Sequence, residues 1–397
     1  MLIYNIGVWG YFLIVKIAAF KSDKAKKWIE GRKETWKNLK SIDSLRATYW
    51  FHCASLGEFE QARPLIEKLK SEEPDAQIVI TFFSPSGYEI RKNYELADVV
   101  VYLPVDSKKN AKQFFDLVKP SKVFFVKYEF WAHFILESKK RSIPIYLVSA
   151  VFRENQVFFR WYGGYMRKVL SSFTAIFVQN EASKKLLETI KVESVLAGDT
   201  RYDRTLANAA KVVQYDDVAR FCGSSKVIVC GSVWKEDLEV VGDHLDQVAG
   251  FKLIVAPHNI DENTLKMTTA YFKHKRVIRY SNIEQMNGEE VLLIDNIGML
   301  MNLYQYGHFA YIGGAFKTGL HNILEPASFG LPVVFGPYTG KFPEAALFAE
   351  NKVGFQISNS QQFQQALSQL SQHELSDKVK NFMGQNSGAT EIIWSWV

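Results

Sequence analysis

"YIGGAFKTGLHNILEPASFGLPVVFGP", Tyr311 to Pro337, decides the fold. An apolar run meets Gly313-Gly314, a loop follows, and Asn322 stands at a candidate helix N-cap. A helix is expected from Ile323 to Phe329, then Gly330 and Pro332 break it before a second apolar run. Asparagine at an N-cap satisfies an orphan backbone donor, and the start of a helix is a ready anion site. Glycines ahead of it let backbone approach a ligand closely. Glu325 falls in the first turn. It either pairs with the helix dipole or grips ribose hydroxyls of a nucleotide, and the glycine-rich approach favours the second role.

The same alternation extends outward in both directions. Upstream, "KVIVCGS", "FKLIVAPHN", "KRVIRYS", "EVLLIDN" and "HFAYIGG" read as strands with helices between them, and "LPVVFGP" follows. "TLANAAKVVQYDDVARFCGSS" reads as one linker helix. Before it lies a similar half. "ATYWFHCAS", "AQIVITFFS", "DVVVYLP", "SKVFFVKYE" and "IPIYLVSA" read as strands, and the half closes with "TAIFVQN", a helix, and "SVLAGDTRYD". In "EFEQARPLIEKLK", Ala62, Leu65, Ile66 and Leu69 give a helical stripe, with Pro64 able to shift its start. Strands alternating with helices imply parallel sheets covered on both faces. The expected architecture is α/β, with two doubly wound, Rossmann-like domains facing a cleft, and ligands beyond the carboxyl ends of the strands. The expected division is a membrane anchor and basic segment over 1–40, a first domain over 41–207 and a second over 208–397.

The chain has 397 residues, 47% hydrophobic and 23% charged, so sizeable cores can form and disorder is not expected. The net charge of +6 is unevenly spread: Lys21, Lys24, Lys26, Lys27, Arg32, Lys33, Lys37 and Lys40 crowd one segment. That block fits membrane headgroups better than nucleic acid, for which no motif is present, with a solvated linker helix as the structural alternative. Ahead of it, "MLIYNIGVWGYFLIVKIAAFK" carries only Lys16 between Leu2 and Phe20 and is rich in aromatics. It just reaches the ~18–20 apolar residues that span a bilayer, and it reads as an anchor, spanning or interfacial, with a buried helix of a soluble domain as the third alternative. It lacks a basic leader and a small-residue cleavage site. The basic block after it predicts that the remainder stays cytoplasmic. Cys53, Cys222 and Cys230 form no Cys-x-x-Cys pair, which implies a reducing compartment.

Several chemistries lack their sequence devices. No Gly-x-Gly turn for a nicotinamide cofactor occurs. "GPYTGK", Gly336 to Lys341, is one spacer short of a P-loop, with Phe342 where Ser or Thr would meet magnesium. No Asp-x-Asp triplet occurs, and the eight histidines have no zinc-ligand spacing. No cofactor and no metal are therefore expected. "CASLGEFEQARPLI", Cys53 to Ile66, puts Glu58 on a turn at the mouth of a helix, where it either caps the helix or acts as a base.

The Tyr311–Pro337 stretch is similar to the nucleotide-sugar motif of GT-B glycosyltransferases. With "HCASLGEFEQARPLI", "KYEFWAHFI", "GDTRYDR" and "VAPHN" it resembles the family of 3-deoxy-D-manno-octulosonic acid (Kdo) transferases, in matching order over nearly the whole chain. The resemblance implies a metal-independent inverting transfer of Kdo from CMP-Kdo to a lipid A precursor, at the cytoplasmic face of the cell inner membrane. It implies Glu58 as general base, with Glu129 and Arg201 supporting the transition state. An ion pair of Glu129 with Lys127 or Arg201 is the purely structural alternative. It also implies CMP contacts at Pro257, His258, Gly298, Met299, Leu300, Asn322, Ile323, Leu324 and Glu325. Ser232, after "KVIVCG", is a phosphate or ribose candidate from its placement alone. The chain departs from the family at Met299, where Glu is usual, at His258, where Arg is common, and around Arg153, which is left without a role. A UDP-sugar lipid glycosyltransferase, a sugar-nucleotide epimerase and a noncatalytic nucleotide-sugar binding protein are the alternatives.

Overall fold

A computed structural model describes residues 1–317 and 319–397. The chain divides into two compact units, Met1–Arg204 with Ser387–Val397, and Thr205–Asn386. Residues 387–397, assigned from the sequence to the second domain, therefore belong to the first. Residues 1–40 are likewise part of the first unit rather than a separate segment.

The first unit is built on seven strands: β1 (Thr48–Cys53), β2 (Gln77–Phe82), β3 (Val99–Tyr102), β4 (Lys122–Val126), β5 (Ile145–Ala150), β6 (Ala175–Val178) and β7 (Val195–Leu196). They form one sheet in the order β3-β2-β1-β4-β5-β6-β7, and every pairing is parallel. Alternate residues feed two cores. Trp50 and Phe125 pack with Phe114 and Phe134 on one face, and Phe51 and Phe124 with Phe59 and Leu65 on the other. Burial on both faces is why these strands read as continuous apolar runs rather than alternating ones.

The second unit repeats the plan with β8 (Lys226–Val233), β9 (Phe251–Pro257), β10 (Val277–Arg279), β11 (Val291–Leu293), β12 (Phe309–Ile312), β13 (Val333–Phe335) and β14 (Gly354–Gln356). Their order is β10-β11-β9-β8-β12-β13-β14, again all parallel. In each sheet the winding reverses beside its first strand, between β1 and β4 and between β8 and β12. Such reversals leave a crevice at the carboxyl ends of the two strands, the usual ligand position in this architecture.

The elements that matter for those crevices are α1 (Leu2–Ala18), α2 (Asp23–Lys33), α3 (Leu56–Glu72), α4 (Ala132–Lys140), α5 (Thr200–Ala209), α6 (Asp216–Cys222), α7 (Lys235–Gln247), α8 (Leu324–Ser328) and α9 (Ala389–Trp394). Pro64 lies inside α3, which starts at Leu56 regardless, because Phe59, Ala62, Leu65, Ile66 and Leu69 bury its inner stripe. The expected single linker helix is two, α5 and α6. Between them Val213 is pinned instead by side chains, its N–H by Asn302 at 3.2 Å and its carbonyl by Gln305 at 2.8 Å. No single described helix is long and apolar enough to cross a membrane; α1 with the helical segment 23–41 passes that test only as a pair bent by 117°.

The C-terminal segment returns to the first unit with Ile393 buried in its core, and Asp203 in α5 fixes its start. Its carboxylate accepts from the N–H groups of Gly388 (2.5 Å) and Thr390 (2.7 Å) and from the Thr390 hydroxyl (2.6 Å). The carboxylate thus satisfies orphan donors at the start of α9, a capping role played from another part of the chain.

Candidate active-site residues at the two switch points

The first switch point carries the residues expected to do chemistry. Glu58 stands in the first turn of α3, after β1, and is half-buried. The Ser55 hydroxyl donates to the Glu58 carboxylate, and Ser55 makes no side-chain capping bond to the helix backbone. Capping therefore does not explain the pair. The serine's single proton is committed to one carboxylate oxygen.

Glu129 follows β4, across the reversal from Glu58. The alternative partners Lys127 and Arg201 are not what holds it. His52 Nε2 lies 3.0 Å and Trp131 Nε1 2.5 Å from Glu129 Oε2. Trp131 Nε1 is also 3.0 Å from His52 Nε2, but the carboxylate is the nearer and the charged acceptor. His52 Nε2 donates to Glu129, and Nδ1 lies 2.8 Å from the Thr81 hydroxyl and 3.2 Å from the Thr81 carbonyl. Thr81 Oγ1 in turn accepts from Trp50 Nε1 at 2.8 Å. A buried row of polar side chains, Trp50, Thr81 and His52, thus ends on Glu129. Lys127, just ahead of it, has φ of 67°, a left-handed backbone that non-glycine residues adopt at a cost and that clusters at functional sites.

Arg201 opens α5. It pairs with Asp199 at 2.7 Å, and Asp199 also accepts from Gln61 Nε2 of α3 at 3.1 Å. Burial alone would raise the Asp199 carboxyl, but the Arg201 guanidinium holds it below the ordinary range. Arg204 reaches back to Glu60 (3.2 Å) and Glu67 (2.9 Å) on α3. The Asp199–Arg204 segment thus fastens α5 to the helix that bears Glu58. Arg153, without a role in the sequence reading, stands over the Tyr128 ring at 5.5 Å, with its Nη2 3.4 Å from the Tyr128 hydroxyl. Burial raises that hydroxyl, and the charges of Arg153, Glu58 and Arg201 all act on it, so these groups share one neighbourhood.

The second switch point has a different character. Ser232 has φ of 53° and interrupts the register between β8 and β9. Beyond it the Trp234 indole stacks on His258 at 4.1 Å, His258 stacks on His321 at 4.8 Å, and Trp234 Nε1 lies 3.2 Å from His321 Nε2. Partial desolvation in the stack lowers both imidazoles below their ordinary pKa, His258 while still exposed at the surface, and His258 lowers His321 further. Asp237, fully buried in α7, ties the loops together. It accepts from Trp234 N (2.8 Å), Gly314 N (2.9 Å) and the Tyr311 hydroxyl (2.9 Å). Gly314 has φ of 94°, and a Cβ there would stand 2.6 Å from the His321 ring, so both conformation and space require glycine.

Asn322 and Glu325 form a bracket: Asn322 Oδ1 accepts from Leu324 N and Asn322 Nδ2 donates to Glu325, both at 3.0 Å. The helix expected over 323–329 is only the five residues of α8, stopped by Gly330 at φ of 83°. A helix that short has little macrodipole, so the anion site expected at its start is not a helix-end site. Ile323 and Leu324 are buried, which leaves only their backbone for a ligand. Pro257 ends β9 and is buried beside exposed His258. Gly298 has φ of 99°, while Met299 is buried with its sulfur 2.9 Å from Asn296 Nδ2. Leu300 reaches the end of β8, where a Cβ on Gly231 would come within 3.3 Å of it and 2.2 Å of the Tyr304 hydroxyl. Thr318 of the glycine-rich loop lies outside the described residues. Among the described residues, no group of three or more His, Cys, Asp or Glu side chains is arranged to hold a metal ion.

His52, Trp131, Asp237, Trp234 and His321 were not among the sequence candidates. The signal for the first was a histidine inside an apolar strand. Trp131 and His321 lie inside stretches already singled out, and Asp237 shortly after one.

Residues 27–204 match the family model for 3-deoxy-D-manno-octulosonic-acid transferase (kdotransferase). A 3-deoxy-D-manno-octulosonic acid transferase of Aquifex aeolicus is 27% identical over 339 residues, covering 83% of this chain and 88% of that protein. The chain is thus similar to Kdo transferases over most of its length. A bifunctional glycosyltransferase/methyltransferase of Fusobacterium nucleatum is 26% identical over 95% of this chain, and this chain spans 61% of that protein's length. Among solved structures, UDP-GlcNAc 2-epimerase from Neisseria meningitidis bound to UDP-GlcNAc superposes with a TM-score of 0.61 at 17% identity, over 88% of this chain and 98% of that one. That likeness is one of fold alone, and the fold is GT-B-like.

Proposed function

We propose that the chain transfers Kdo from CMP-Kdo to a hydroxyl of a lipid A precursor (lipid IVA), with inversion and without a metal or other cofactor, in lipopolysaccharide synthesis at the cytoplasmic face of the inner membrane. The observation that carries this reading is Glu58 at the switch point of the unit that matches the Kdo transferase family. Glu58 takes the proton of the acceptor hydroxyl as its oxygen bonds to the anomeric carbon of Kdo, and the bond from that carbon to the phosphate oxygen breaks. CMP leaves with the electron pair. The Ser55 hydroxyl occupies one Glu58 oxygen, so the other is available for the acceptor. Arg201 offers a guanidinium to developing negative charge. Glu129, fixed by two N–H donors, stabilises positive charge growing on the sugar ring. In the second unit Pro257 to His258, Gly298 to Leu300 and Asn322 to Glu325, with Ser232, hold CMP, Glu325 accepting from ribose hydroxyls.

The test is purified protein with CMP-Kdo and lipid IVA, read by product mass. One or more Kdo additions support the reading. Turnover of UDP-GlcNAc instead, or CMP binding without transfer, overturns it in favour of an epimerase or a binding protein.

A further inference from the structure

Arg32 is the odd member of the basic segment. The lysines of residues 21–40 are all exposed, whereas Arg32 turns inward and is half-buried. α2 lies close to the first sheet at this point, since a Cβ on Gly31 would stand 2.1 Å from the Tyr102 ring. Among the described residues no carboxylate pairs with the Arg32 guanidinium. Each of its three nitrogens donates to a different backbone carbonyl instead: Nε to Leu103 (2.9 Å), Nη1 to Trp28 (2.9 Å) and Nη2 to Phe83 (3.0 Å). The guanidinium also lies 3.4 Å over the Trp28 ring, with the Tyr102 ring at 5.0 Å and the Phe83 ring at 5.2 Å. Burial lowers it to about 9, so it stays charged at neutral pH.

A buried cation held only by neutral groups is expensive, and a methionine would fill the same space among the rings without that cost. What the guanidinium adds is a planar fork with fixed donor directions. Phe83 and Leu103 directly follow β2 and β3, so the fork ties two loops to α2 on the edge of the sheet that carries Glu58 and Glu129. The Phe83 loop leads to the chemistry. The N–H groups of Phe83 and Ser84 donate to the carbonyls of Cys53 (3.3 Å) and Ala54 (2.8 Å), just ahead of Ser55. The Phe83 ring stacks on Trp131, with centroids 4.9 Å apart and planes at 27°. Trp131 Nε1 is the nearer of the two donors that fix Glu129, at 2.5 Å against 3.0 Å for His52. Contacts therefore run from Arg32 through Phe83 and Trp131 to Glu129.

We propose that Arg32 is a positioning residue for the sugar transfer: by clamping the Phe83 carbonyl it holds the Trp131 indole where its N–H reaches Glu129. This deepens the function proposed above and rests on it for the step that Glu129 serves, but its first test does not depend on turnover. In Arg32→Lys one nitrogen replaces three, so the cation stays and the fork is lost. The full chain is labelled with 15N-tryptophan and its indole N–H resonances are recorded. The Trp131 resonance is the one absent from Trp131→Phe, and the Trp50 resonance, from an indole bound to Thr81 in the core, is the one absent from Trp50→Phe. Arg32→Lys should shift the Trp131 resonance and speed its exchange with water while the Trp50 resonance keeps its place. An unmoved Trp131 resonance overturns the proposal, and so does a change shared equally by Trp50, which marks general loosening. With CMP-Kdo and lipid IVA, kcat of Arg32→Lys should fall about 10-fold with KM for both substrates little changed. In a Trp131→Phe background the same substitution should alter kcat less than about 2-fold, because both residues act on Glu129 along one path. Losses that multiply would show that Arg32 acts elsewhere and also overturn the proposal. Arg32→Met, which keeps the packing among the rings, supplies the same readouts where Arg32→Lys does not fold. No Kdo transfer by the unaltered chain would sink the functional reading and leave the resonance test standing.

Discussion

The two switch points have the same topology and opposite chemistry. Between β1 and β4 the groups are charged and joined by directional hydrogen bonds: Ser55 to Glu58, His52 and Trp131 to Glu129, Arg201 to Asp199. Between β8 and β12 they are stacked rings around a buried carboxylate, Asp237, whose partners are N–H and O–H groups rather than a cation. A site that moves protons needs ionisable groups held at fixed protonation. A site that holds a nucleotide needs flat surfaces and close backbone. On the proposed function, rate falls to the first unit and donor affinity to the second.

The strongest way to break that assignment is Glu58→Gln. It should lower kcat by about 10²–10⁴, with CMP binding by calorimetry and the melting temperature unchanged. Full transfer by this variant would remove the base. Gly314→Ala should do the reverse. Its Cβ meets His321 in a backbone that costs about 1–2 kcal/mol for a side chain, so CMP affinity should fall about 10-fold or more while kcat at saturating donor changes little. A loss confined to kcat would blur the division. Trp131→Phe keeps the stack on Phe83 and removes only the indole N–H, so kcat should drop about 10-fold without a matching change in KM. The smallest effect is one of pH. His258 and His321 are both lowered from 6.5, so on acidification the unfolded chain binds those protons first. Stability of the second unit should therefore be constant above the unfolded value and decline as pH falls through it toward the folded values. His321→Gln should reduce that decline in melting temperature; an identical profile would mean that the stack does not titrate.

Much of this was legible in the sequence. Strands buried on both faces announce themselves as apolar runs, and Glu58 and Glu325 stand where loops follow such runs. What escaped depends on distance along the chain. His52 meets Glu129 across 77 positions, and Asp237 binds Gly314 across the same number, so no local pattern reports either. The two-residue β7 and the short β14 are held by their neighbours rather than by their own propensity. α8 fell short of its expected seven residues because Pro326 and Gly330 limit it, a conflict that tertiary packing decides. The return of 387–397 to the first unit joins buried Ile393 to its core and caps α9 with Asp203, in a motif whose arginine drew the attention.

That carboxylate has a consequence for the birth of the molecule. The first unit needs α9, yet all of 205–386 is made between Asp203 and the groups it binds. At ~5–20 residues per second, the first unit waits on the order of ten to forty seconds for its last piece. During synthesis the second unit can finish before the first, although the first began earlier.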